Sequence, residues 1–368
     1  MIYLDYGATS FQKPPAVSAA VLKALKTCAN PGRGGYPAAM EAARAVYRCR
    51  ERAAQLFECL PEQVVFTSNC THGLNIAIRT LVKPGSRVVV SGFEHNAVVR
   101  PLHTLGAEMV VAGRKLFDPK DTLAAFELAL RHGADAAVFT HASNVFGYIL
   151  PVEELSRLCK HYGVPFVIDA AQSAGMLPVS LKKTGADFIA MPGHKGLLGP
   201  QGTGILLCGS APEPLLLGGT GSASASREMP EELPDRGEAG TANVPGIAGL
   251  SEGLAYLQRV GIQEIFRREK LAANVCVDGL KSLGLSVFFG ENQGGTVSFV
   301  SNMDCEEMAF ALGKRGIAVR AGLHCAPLAH ESAGTLETGT VRVSFGHNTT
   351  VAEVEKLLKN TACLVKNF

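Results

Sequence analysis

A chain of 368 residues exceeds the roughly 250–300 at which a single hydrophobic core stops growing, so two domains are expected. With 47% hydrophobic and 18% charged residues and a net charge of +2, it lacks the charge excess of a nucleic-acid or membrane-surface binder, which leaves a small-molecule substrate.

The N-terminus, Met1-Ile2-Tyr3-Leu4-Asp5-Tyr6, carries neither a basic leader nor an apolar stretch of signal-peptide length, and a cytoplasmic protein is expected. Apolar positions at helical spacing predict a helix over 14–27, then a glycine-rich break at Asn30-Pro31-Gly32-Arg33-Gly34-Gly35 and a longer helix over 38–57. Short apolar runs at 64–66, 87–90, 108–111, 136–139, 165–168, 188–190 and 205–207 read as buried strands. Amphipathic segments such as 121–131 and 152–162 separate them. This alternation predicts an α/β fold whose mainly parallel sheet is covered by helices on both faces. Residues 217–245, rich in Gly, Ser and Glu, read as a long surface excursion. Helices over 247–260, 262–283, 306–315 and 351–365, with strands over 295–300, 317–320 and 341–345, predict a smaller α+β domain. The expected division is 15–245 for the large domain, with 1–14 and 246–368 in the small one.

Ligands of parallel α/β sheets sit beyond the carboxyl ends of the strands, and the informative polar residues lie there. Thr67-Ser68-Asn69-Cys70-Thr71-His72-Gly73 opens a helix; it is equally an ordinary N-cap and a cradle of N–H groups, Cys70 and Thr71 among them, for a phosphate. Glu94-His95 puts an imidazole at a strand end, able to stack on a planar ring, to serve as a catalytic acid-base group or simply to face solvent. Ser143-Asn144 offers an amide, although Asn favours such turns unaided. Asp169, after four apolar residues, needs a cationic or hydrogen-bonded partner if buried, and Gln172 follows one helical step later. Met191-Pro192-Gly193-His194-Lys195-Gly196 then supplies a primary amine. An amine for a Schiff base and an acid for a pyridinium nitrogen are what pyridoxal 5'-phosphate (PLP) requires. Ten cysteines without a CxxC pair argue against a zinc ribbon, and no metal is expected.

Glu94-His95, Ser143-Asn144-Val145, Asp169-Ala170-Ala171-Gln172 and Gly193-His194-Lys195 together resemble the class V aminotransferase family of fold type I PLP-dependent transferases, in its cysteine desulfurase and selenocysteine lyase branch. The likeness runs nearly end to end, from Tyr3-Leu4-Asp5 to Arg342-Val343-Ser344-Phe345. It implies a seven-stranded-type sheet and a homodimer. It also implies that Lys195 forms the Schiff base, Asp169 pairs with the pyridine nitrogen and His95 stacks on the ring. Asn144 and Gln172 address the ring oxygen and substrate; Thr71, His194 and, across a dimer interface, Thr241 hold the phosphate; Arg342 binds the substrate carboxylate in a bidentate fork. Pro192 departs from the pattern, since that position usually carries a hydroxyl that touches the phosphate; His72 stands where an acid is frequent.

Arg320-Ala321-Gly322-Leu323-His324-Cys325-Ala326-Pro327 selects among reactions. A cysteine beside a histidine and an arginine is expected in an electropositive setting that favours the thiolate. The resemblance makes Cys325 the persulfide-forming residue of a desulfurase that converts L-cysteine to L-alanine, with Lys195 as the base for the Cα proton and Arg320 near the substrate. Alternatives are a selenocysteine lyase acting on L-selenocysteine, and an aminotransferase or β-lyase in which Cys325 is incidental. The sulfur acceptor is not legible in the sequence.

Overall fold

The computed structural model describes residues 1–32 and 34–366, so Arg33 of the glycine-rich break lies outside it. Strands Val64–Thr67, Arg87–Ser91, Glu108–Ala112, Ala136–Thr140, Phe166–Asp169, Phe188–Pro192 and Gly204–Cys208 form one seven-stranded sheet. Alternate side chains fill opposite faces. Val89, Phe139, Ile168 and Ile189 join one core with Phe57, Phe93 and Phe126, while Val88, Val138, Val167 and Phe188 join another with Leu74, Ile78 and Val98. Burial on both faces explains why these strands are nearly continuous apolar runs.

Only Gly204–Cys208 runs against its neighbours, pairing antiparallel with Phe188–Pro192 and with Val64–Thr67. The segment between Pro192 and Gly204 contains no crossover helix, which a parallel return would need. Thr67, Ser91, Thr140, Asp169 and Pro192 therefore end at one edge of the sheet, and Gly204 begins there opposite both Thr67 and Pro192.

The second layer is a four-stranded antiparallel sheet of Ser286–Phe288, Thr296–Val300, Thr340–Ser344 and Arg320–Gly322. Its core joins Val297, Phe299, Val341 and Val343 to Cys276, Met308 and Leu357 from the helices Ile262–Ser282, Cys305–Lys314 and Val351–Val365. The single strand expected over 317–320 is two: Ile317–Ala318 pairs parallel with the N-terminal Ile2–Tyr3, and Arg320–Gly322 joins the four-stranded sheet. This fastens the N-terminus to the small layer and puts Asp5 beside Ser344.

Helix Val244–Val260 packs its apolar face, Ile247, Leu250, Leu254 and Leu257, into the large core with Ala53 and Phe57. Within Ile262–Ser282, Ile265 still belongs to the large core and Ala272 to the small one. Residues 217–243 carry only the 3-10 turn Asp235–Gly237. Among the described residues no helix is long and apolar enough to cross a membrane.

Candidate active site

Strand ends and the start of helix Cys70–Leu81 enclose a cavity of about 100 Å³ lined by Cys70, Thr71, His95, Asn144, Asp169, Gln172, His194 and Lys195. Asp169 is 2% exposed; its Oδ1 accepts from Ala171 N at 2.8 Å and from the Cys70 thiol at 3.5 Å. Burial pushes the carboxyl up, opposed by the Ala171 N–H and the charge of Lys195. Burial and Asp169 hold the Cys70 thiol well above its ordinary range, so Cys70 acts as a neutral donor. Lys195 is half-buried, and desolvation lowers its pKa against the pull of Cys70 and Asp169, which favours the neutral, nucleophilic amine.

The Lys195 turn is fixed by its backbone. Gly193 N donates to Thr203 O at 2.8 Å, Gly199 N to Gly193 O at 2.7 Å and Leu198 N to Lys195 O at 2.9 Å. Gly175, at φ +89°, lies so close that a Cβ there would stand 2.2 Å from Gly196 O. Pro192, the last strand residue, lines the cavity.

His95 is the N-cap of helix Asn96–Thr104, and its Nδ1 accepts from Ala97 N at 3.0 Å, which leaves its proton on Nε2. Burial and the nearby cations bring it down to about 4, a neutral ring suited to stacking. His194 is likewise lowered to about 4 by burial; Nδ1 lies 3.0 Å from Thr9 Oγ1 and its carbonyl accepts from Ser10 Oγ at 2.9 Å. It can hydrogen-bond an anion but brings no charge. At Cys70–Leu81 both readings of the sequence coexist. Asn69 caps the helix, accepting from His72 N at 2.9 Å, while the N–H groups of Cys70 and Thr71 meet no acceptor among the described residues. His72 folds back on Ser68, Nδ1 at 3.3 Å from its N and Oγ.

Arg342 is 1% exposed, and its fork is engaged within the chain: Nη2 is 2.6 Å from Asp5 Oδ1 and Nη1 donates to Asn144 O at 3.0 Å, leaving Nε unpartnered. Asn144 Nδ2 donates to His324 O at 2.7 Å, and Gln172 Nε2 to Gly7 O at 3.0 Å. The N-terminal segment thus supplies Asp5, Gly7, Thr9 and Ser10, none of which the sequence reading assigned to the site. Arg320 is exposed and is the cross-strand partner of Arg342. Thr241 is exposed and lines a separate cavity of about 660 Å³ with Ser68 and His72.

Cys325 is exposed, in the loop that Asn144 fastens. The expected histidine charge beside it is absent. His324 is 4% exposed, with Nε2 3.2 Å from Thr340 O, and burial together with Arg342 holds its imidazole neutral. Glu94 was also missed. It is wholly buried, bonded to Ser91 Oγ, and its Oε1 accepts from Thr140 N at 2.9 Å, which ties together the strand ends leading to His95 and Asn144. Burial pushes its carboxyl up to about 8.

Behind Lys195 a chamber of about 40 Å³ is lined also by Tyr6, Glu269 and His347. Burial raises Glu269 to about 8. In the folded state it keeps a proton that the unfolded chain releases above the ordinary carboxylate range, so its contribution to stability is present in acid and lost as pH rises toward 8. Glu269→Gln is expected to remove this loss, a gain on the order of 1–3 kcal/mol at pH 8.5 relative to pH 5. Urea denaturation at the two pH values checks it, and an unchanged difference in the variant would show that Glu269 does not carry the effect.

A sequence profile of the family described as Aminotransferase class-V matches residues 2–357. The chain is 34% identical to a probable cysteine desulfurase of Methanothermobacter thermautotrophicus over 378 aligned positions, covering 97% of this chain and 92% of that protein. It is 33% identical to a probable cysteine desulfurase of Pyrococcus abyssi, covering 100% and 95%. The apo structure of a cysteine desulfurase from Thermococcus onnurineus NA1 superposes with a TM-score of 0.93 at 33% identity, over 100% of this chain and 95% of that one. On this near-complete match the chain belongs to the class V aminotransferase family.

Proposed function

We propose that this protein is a PLP-dependent cysteine desulfurase that converts L-cysteine to L-alanine and keeps the sulfur as a persulfide on Cys325. The observation that carries the reading is the fastening of the exposed Cys325 loop onto Asn144, a residue of the same cavity as Lys195 and Asp169.

The residues fit the cofactor. Asp169 is a buried carboxyl, Lys195 an amine whose pKa burial lowers, and among the described residues the N–H groups of Cys70 and Thr71 meet no acceptor at the start of a helix. PLP, when bound, supplies the electron sink for the charge left as the substrate loses its Cα proton. Lys195 would hold it covalently and Asp169 would keep its ring nitrogen protonated. His95 would cover its face, while Gln172 and Asn144 would address its ring oxygen. Cys70, Thr71 and His194 would hold the phosphate, joined by Thr241 of a second copy in a homodimer. Pro192 contributes no hydroxyl, so the helix start carries more of that hold.

Arg342, already oriented by Asp5, would receive the substrate carboxylate with Arg320 nearby, and Lys195 would take the Cα proton. The Cys325 thiolate attacks the substrate sulfur, forming an S–S bond as the C–S bond breaks. The electron pair stays with the carbon skeleton, which is protonated to alanine. An acceptor then takes the sulfur, and we place the reaction in the cytoplasm.

Mass spectrometry after brief exposure of the PLP-loaded protein to L-cysteine should find one added sulfur on the Cys325 peptide and a matching amount of alanine. Keto acid formed from sulfur-free amino acids, without alanine from cysteine, would refute the reading. The same assay with L-selenocysteine sets the preference between the two elements.

A further inference from the structure

Leu323-His324-Cys325-Ala326 is a type I′ turn: Ala326 N donates to Leu323 O at 2.9 Å, and His324 and Cys325 are both left-handed, at φ +49° and +58°. Such turns are ordinarily built from Asn and Gly, because a Cβ opposes this backbone region. Two residues with full side chains persist there only when their surroundings impose it.

Three contacts do so. The His324 ring is anchored on Thr340, Asn144 Nδ2 holds the His324 carbonyl, and Asn96 N donates to the Cys325 carbonyl at 2.7 Å. Asn96 is the first residue of helix Asn96–Thr104, where an N–H has no partner within the helix. That spare donor directly follows His95, so one helix start carries both the capping imidazole that lines the cavity and the group that grips the cysteine.

We propose that the backbone N–H of Asn96 is a positioning group for Cys325, holding the strained turn so that the thiol keeps a fixed place relative to His95. Its consequence for sulfur transfer rests on the desulfurase reading. The hydrogen bond itself does not.

Asn96→Pro isolates the bond. Proline is accommodated at a first helical position, and His95, at φ −76° and ψ 155°, already has the extended conformation required before proline. Asn96→Ala keeps the N–H. In the PLP-loaded protein, Asn96→Pro should retain the cofactor absorbance and the KM for L-cysteine. It should form the Cys325 persulfide about 10–100-fold more slowly in a single turnover, the loss typical of a misplaced reacting group. Its Cys325 peptide should also be alkylated by iodoacetamide at an altered rate, and Asn96→Ala should match the parent in both measurements. Equal persulfide formation and alkylation in Asn96→Pro and the parent would overturn the proposal.

Amide hydrogen exchange in the unsubstituted protein decides the matter without a variant: the Asn96 amide should exchange slowly, and exchange at the rate of an open amide would overturn it. Absence of alanine production from cysteine would instead sink the desulfurase reading, leaving alkylation and exchange to judge the hydrogen bond.

Discussion

Lys195→Ala is expected to abolish alanine release from L-cysteine. The loss of a general base alone is worth about 10²–10⁴-fold, roughly 3–5 kcal/mol of barrier, and the covalent hold on the cofactor goes with it. The structure makes the effect specific to a nucleophilic amine. Burial lowers the Lys195 pKa, while the Cys70 thiol and Asp169 pull the other way, so its surroundings shift the group toward the free amine. Lys195→Arg should fail equally, because a guanidinium stays protonated whatever its surroundings. Absorption spectra recorded while PLP is added would separate loss of chemistry from loss of folding: the parent should develop a visible band and neither variant should. Turnover in Lys195→Ala within an order of magnitude of the parent would remove Lys195 from the mechanism.

The sheet was legible because its strands are buried on both faces and so appear as unbroken apolar runs, with the polar Asp169 standing out as the last residue of one and Lys195 just beyond the end of another. What the sequence concealed depends on pairs far apart in the chain. Nothing near Arg342 announces that Asp5 will neutralise it, nor does anything near Gln172 point to Gly7. The charge on His324 was misjudged for the same reason: its sequence neighbours include Arg320, but its burial comes from packing against Thr340 and His330. Helix Asn96–Thr104 was missed because Pro101 interrupts its pattern, and with it went the donor that meets Cys325. Periodicity shows that helix Val244–Val260 has an apolar face but cannot assign that face to one layer or the other; packing puts it on the large core.

Cys325→Ala is expected to lose at least about 10²-fold in alanine formation from L-cysteine, close to 3 kcal/mol of barrier, while PLP binding remains intact. The two effects separate because of where the residue sits. Cys325 is exposed in the loop that follows the small-sheet strand Arg320–Gly322, whereas Asp169 ends a strand of the large sheet, Lys195 lies in the turn after another, and the N–H groups of Cys70 and Thr71 open the helix Cys70–Leu81. The contacts that hold the turn use the carbonyls of His324 and Cys325, which alanine retains, so the loop should keep its place and the loss can be ascribed to sulfur chemistry. Cys363 is the matched control: it is also exposed but lies on the final helix, and Cys363→Ala should leave turnover unchanged. Parallel assays of alanine release, the visible cofactor band and added sulfur on the Cys325 peptide test this directly. If Cys325→Ala instead consumed L-cysteine at the parent's rate and released sulfide with pyruvate and ammonia, the C–S bond would be broken by elimination without a protein thiol, and the chain would be a β-lyase on a desulfurase scaffold.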